Sequence, residues 1–158
     1  MKSIQKIGMM LIATAAIVIS SCKKTETKTE FSNLPIGTVT SLKMGTITQQ
    51  NAPGTPPTTG TLSLVQDSQG NQFVKLNSDF TSGFSTGTVA VYFAKTNGEI
   101  KAQRNGGSTA GNVKAIGFVN KAGEQYLQLP MVGAANGFSF VIFYCETAEV
   151  NFGSAPLN

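Results

Sequence analysis

The 158-residue chain has no histidine and no tryptophan, and only two cysteines. Without imidazole there is no Ser-His-Asp triad, no Cys-His dyad and no zinc site that needs a histidine ligand. Two cysteines build neither a four-cysteine metal cluster nor a disulfide-dense scaffold, so no metal site is expected. Charge is scarce as well, at 13% of residues against about 25% in an average soluble domain. No window carries an apolar repeat of 3.6 residues long enough for a helix. CxxC, CxxCH, GxGxxG and P-loop patterns are absent too. What remains is an apolar fraction of 41% set among Ser, Thr, Gly and Asn, a mixture that favours strands and tight turns. The length admits one ordinary domain with appendages.

The N-terminus reads as targeting rather than fold. Lys2 and Lys6 flank the start of an uncharged apolar run of thirteen residues, Ile7 to Ile19. As a helix that run is about 20 Å long, too short for about 30 Å of hydrocarbon. It ends in Ile19-Ser20-Ser21-Cys22, which resembles the lipobox of bacterial lipoproteins. The resemblance implies that residues 1–21 are a signal peptide and that Cys22 is acylated on its sulfur and its new amino group, giving a membrane-lipid anchor. Lys23 follows, in place of the Asp that marks inner-membrane retention. The expected location is therefore the outer membrane, periplasmic or surface-facing.

Residues 22–35 read as the anchor and a flexible tether, reaching about 20 Å as a coil of thirteen residues, and 36–158 as a single domain. Beyond the tether seven basic residues stand against six acidic ones. No basic cluster is left to follow a phosphate backbone, and nucleic acid is excluded as a partner.

Within the domain the pattern predicts an all-β fold of about eight or nine short antiparallel strands, as a two-sheet sandwich or a partly closed barrel. Strands are expected at Gly37 to Thr48, Leu62 to Val65, Phe73 to Leu76, Thr88 to Lys95, Lys114 to Val119, Gln125 to Leu129, Ser139 to Cys145 and Ala148 to Phe152. Asn97-Gly98 predicts a type I′ turn into a strand at Glu99-Ile100-Lys101. Asn51 to Gly60, with three prolines, reads as a surface loop. The expected core is Phe73, Leu76, Val89, Val91, Phe93, Ile116, Phe118, Leu127, Phe140, Ile142 and Phe143.

The segment Phe138 to Cys145 is apolar on both alternating faces, which places it inside a sheet covered on both sides. Glu146 then returns the chain to solvent. With Cys22 acylated, Cys145 is a lone thiol in an exported protein. Two readings of it stand side by side: a small buried hydrophobe, or a functional thiol at a rim pocket lined by Tyr126, Met131 or Tyr144.

Asn77-Ser78-Asp79-Phe80, the strand Thr88 to Phe93, Gly123 to Pro130, and Val141 to Cys145 with Val150-Asn151-Phe152-Gly153-Ser154-Ala155-Pro156-Leu157 resemble the DM thirteen domain family over about Gly60 to Leu157. The resemblance implies a β-rich domain related in architecture to the DOMON sandwiches that bind haem or sugars. It also implies electron transfer through the cysteine matching Cys145, as a bare redox thiol or as a ligand to a prosthetic group. If that group is haem, Cys145 is one axial ligand, and Met131 is the first choice for the other, ahead of Met44, Tyr126 or water. The chain departs from the family at Thr86-Gly87-Thr88, where Gly-Pro-Asp is usual. The function expected is that of a lipid-anchored redox accessory working with a redox protein, rather than a stand-alone enzyme. The alternative is a non-catalytic lipid-tethered module that binds a glycan or a protein.

Overall fold

Turn-rich punctuation and period-two apolar patterning become eight strands in a computed structural model, which describes residues 34–50, 57–84, 87–105 and 111–158. The expected signal peptide, Cys22 and most of the tether lie outside the described residues, as does most of the proline-rich loop. The strands are β1 (Thr40–Gln49), β2 (Gly60–Gln66), β3 (Gln72–Leu76), β4 (Val89–Ala94), β5 (Val113–Val119), β6 (Gln125–Gln128), β7 (Phe140–Cys145) and β8 (Val150–Pro156). They form one sheet in the order β5-β4-β7-β8-β1-β2-β3-β6, with every pairing antiparallel.

The sheet curls until its edge strands meet: a Cβ on Gly117 of β5 would lie 3.5 Å from the Leu127 side chain of β6. The result is a nearly closed barrel, the second of the two architectures expected. β1 holds it together. Its first part pairs with β2, and its last residues pair with β8 through Thr48 to Ser154 and Gln49 to Gly153. Odd-numbered strands begin, and even-numbered strands end, at one rim. That first rim carries the entering chain, the 67–71 turn, the 129–139 segment and the C-terminus, whereas the 77–88, 120–124 and 146–149 connections lie at the second.

Alternation divides the side chains between two layers. The barrel interior takes Leu62, Leu64, Val74, Leu76, Val91, Phe93, Val141 and Phe143 among others. A smaller cluster of Ala90, Tyr92, Ala94, Ile142 and Tyr144 lies on the outer side of β4 and β7. This second layer explains why β7 is apolar on both faces, and β7 is indeed central, between β4 and β8.

The outer cluster also overturns one expectation. No strand follows Asn97-Gly98; Ile100–Asn105 is instead the helix α1. β4 already has β5 and β7 on its two sides, which leaves no edge for a hairpin partner. Ile100 is fully buried in the outer cluster, burial that stabilises by about 1.5–3 kcal/mol. Its backbone N–H donates to Oδ1 of Asn151 at 3.2 Å.

The expected core needs one correction and one refinement. Phe118 is 59% exposed, because it alternates with Val119 and Gly117 and points outward from an edge strand. Ile142 and Phe140 belong to the outer cluster rather than the interior.

Candidate functional site

Cys145 ends β7 at the second rim, where alternation turns its side chain inward. It is 3% exposed and part of the interior cluster. The strand then reverses through Glu146 to Glu149 into Val150, the residue that Cys145 faces in β8. Glu149 closes this tight turn with φ 54°, a left-handed conformation uncommon outside glycine. The Ala148 N–H folds back and donates to Cys145 Sγ at 3.4 Å. The thiol thus forms the floor of the turn, and it makes no disulfide.

The other sequence-predicted residues are not gathered around it. Met131 is exposed in the segment that leads into β7, at the first rim; five strand steps, about 17 Å, separate the two ends of β7. Tyr126 alternates with inward-facing Leu127 and so lies on the outer wall. There its ring meets Phe73 edge-on, with centroids 6.2 Å apart, and Lys75 stands 5.6 Å above it. Met44 is exposed near the first rim. Tyr144 precedes Cys145 but points to the opposite side of the sheet.

A haem-sized group does not fit this arrangement. The thiol faces an interior filled by packed side chains, and neither Met131, Met44 nor Tyr126 lies where it could share an iron with it. Two surface depressions of the described residues are lined by Met44, Gly45, Thr46, Thr61, Leu62, Asn77 and Asn158, and by Glu99, Lys101, Ala102, Glu149 and Val150. Neither includes Cys145. Among the described residues no group of three metal-ligating side chains occurs.

Directly behind Cys145, on the outer side of the sheet, is a polar constellation that the sequence reading missed. Tyr92 and Tyr144 meet edge-to-face with centroids 6.1 Å apart. The Tyr92 hydroxyl donates to the Glu146 carboxylate. Arg104 from α1 donates to Glu146 Oε2 at 3.0 Å and to both phenol oxygens, at 3.3 Å for Tyr92 and 3.1 Å for Tyr144. Its guanidinium also lies 5.0 Å from the centre of the Tyr144 ring. Burial, and then the hydrogen bond to Glu146, push the Tyr92 phenol up to about 12. Burial likewise raises Tyr144.

A signal for this cluster exists in the sequence. Tyr92 and Tyr144 have the same parity against inward Val91, Phe93, Phe143 and Cys145, so two tyrosines must share the outer wall of neighbouring strands. Arg104 carries no comparable local signal, since only the turn of α1 across that wall brings it near.

An all-β barrel whose last hairpin closes over a buried free thiol is the class of module that fold and site define. The family model described as Electron transfer DM13 matches residues 52–157, and the chain belongs to that family. No curated protein and no solved structure matches it.

Proposed function

We propose that the protein is a membrane-anchored electron-transfer module in which Cys145 is the redox group and Cys22 the point of lipid attachment. The observation that carries the reading is the electron-transfer family match across nearly the whole barrel, with Cys145 as the one cysteine inside it. Arrangement at the thiol supports a bare-thiol mechanism over a prosthetic group, because the space around Sγ is taken up by the protein itself. A partner reaches the sulfur by opening the Glu146 to Glu149 turn, which folds over it through the Ala148 N–H. Local opening of such a surface turn takes far less free energy than unfolding the sheet.

Attachment through Cys22 accords with the short apolar segment and the Ile19-Ser20-Ser21-Cys22 sequence. Outer-membrane residence, with the barrel in the periplasm or at the cell surface, accords with Lys23. The experiment compares wild type with Cys145→Ser and Cys22→Ala in the native host. Loss of reversible thiol oxidation in Cys145→Ser, and loss of fatty-acid labelling in Cys22→Ala, are the expected results.

Burial of Cys145 also favours a second reading, in which the thiol only packs and the barrel is a binding module for a glycan or a protein. A native thiol that neither oxidises reversibly nor reacts with small alkylating agents decides for that second reading.

A further inference from the structure

The two rims of the barrel differ in chemistry. At and beside the first rim, Leu34, Ile36, Leu42, Met44, Met131 and Val132 are all 44–72% exposed. Among the described residues, Phe118 is the large exposed apolar side chain that lies toward the other rim. The apolar segments are held in place. Ile36 donates its N–H to Asp67 Oδ2 at 3.2 Å and accepts from the Ser68 N–H and hydroxyl at 3.2 and 2.7 Å. The Gly133 N–H, just past Met131 and Val132, donates to Gln72 Oε1 at 2.8 Å. The β2–β3 turn anchors the first apolar segment and Gln72, the next residue after that turn, the second.

Charge follows the same division. Lys43, Lys95 and Lys114 lie near the first rim, where the acidic side chain among the described residues is Asp67, buried in its turn. None of the three ion pairs of the described residues involves these lysines. Toward the second rim Asp79, Glu124, Glu146 and Glu149 stand beside Lys121 and the ion-paired Lys75, Lys101 and Arg104, so basic charge there is matched by acidic charge. Exposed apolar side chains at one rim, with lysines near them, are the chemistry of a surface that enters the head-group region of an anionic bilayer.

The chain outside the described part enters at this rim as well. Leu34 stands twelve residues after Cys22, at most about 40 Å when extended and about 19 Å as a coil. We propose that the first rim docks on an anionic membrane surface, with its apolar side chains at the head-group boundary, and so holds the Cys145 turn on the side away from the membrane. The proposal rests on the reading of Cys22 as a lipid anchor, because a single weak contact gains its effect from a tether that keeps it near the bilayer.

The chain has no tryptophan, so one introduced residue reports alone. The test uses the full chain with Met131→Trp at the first rim or Thr147→Trp at the second, in vesicles of phosphatidylethanolamine and phosphatidylglycerol carrying brominated acyl chains. Acylation of Cys22 is read separately by mass spectrometry. The expected result is a blue shift and strong quenching for Met131→Trp and neither for Thr147→Trp, with quenching weakened when phosphatidylglycerol is replaced by phosphatidylcholine. Quenching at both positions, or at neither in an acylated chain, overturns the docking. So does a Met131→Trp emission already blue-shifted without vesicles, which shows the rim covered by protein. A chain found without acyl groups refutes the anchor alone; selective quenching of Met131→Trp in that chain still supports the docked face, and absence of quenching overturns it.

Discussion

Tyr144 and Cys145 are neighbours in the chain and belong to different hydrophobic clusters, Cys145 to the barrel interior and Tyr144 to the layer under α1. A single strand thereby presents a thiol to the sealed side of the wall and a phenol, paired with Arg104, to the other. The backbone of β7 separates the thiol from the Tyr92–Tyr144 pair.

The Cys145→Ser variant tests how sealed that side is. A hydroxyl placed at 3% exposure keeps the Ala148 N–H as a donor but has no room for water. A loss of about 1–3 kcal/mol is expected, read as a lower denaturation midpoint in urea. Native wild-type protein should react with iodoacetamide far more slowly than the denatured chain, at a rate set by opening of the 146–149 turn. Rapid native alkylation contradicts the sealed geometry.

Tyr92 makes stability depend on alkaline pH. Its phenol has an ordinary value of 10.0 and is pushed up to about 12 by burial and by the bond to Glu146. Between those values the unfolded chain gives up the proton and the folded one keeps it, so unfolding gains relative to the native state. The contribution is complete below pH 10 and is lost as the pH rises toward 12. Tyr92→Phe should flatten this decline in thermal melts and remove the latest step from the tyrosine absorbance titration.

Asp67 acts at the opposite end of the pH scale. Burial opposes its ionisation, but hydrogen bonds from the Asn71 side chain and from the Ile36, Asn71 and Gln69 backbone outweigh that and hold the carboxyl below its usual value of 3.8. Its stabilising effect is therefore present above that value and disappears as the pH falls through the lowered one. Asp67→Asn should reduce the acid sensitivity of unfolding. Amide exchange at Ile36 should also rise in that variant, because the carboxylate is its acceptor.

Gly45→Ala tests how β1 joins the two halves of the sheet. A Cβ there would lie 2.1 Å from the Pro156 carbonyl oxygen and 3.1 Å from the Ala155 side chain. The first neighbour is backbone and cannot swing aside. Overpacking of this kind typically costs about 1–3 kcal/mol, and the expected result is a lower melting temperature with exchange protection lost first at the β1–β8 seam. An unchanged melting temperature contradicts the close approach.

Much of the fold was legible because it rests on local physics. The double-faced apolar pattern of Phe140 to Cys145 required a central strand, and Asp67 to Asn71 had the composition of the turn it makes. Asn97-Gly98 is a strong local turn signal that predicts a strand at Ile100; a helix forms there because β5 and β7 occupy both edges of β4, which no local pattern records. Tyr126 and Met131 were grouped with Cys145 by their place in the chain, and the barrel separated them by wall and by rim.

By itself the sequence determined the class of the protein: an all-β domain without imidazole chemistry, with one cysteine at the end of an inner strand. These follow from composition and period, which act over a few residues. Only the tertiary structure decided that the sheet closes into a barrel, that Cys145 faces its packed interior, and that Arg104 bridges two tyrosines and Glu146. It also decided that exposed apolar residues collect at the rim where the chain enters. Each of these depends on which strands become neighbours, a choice made by the summed burial of two faces and by edges already occupied, and so absent from any short stretch of sequence.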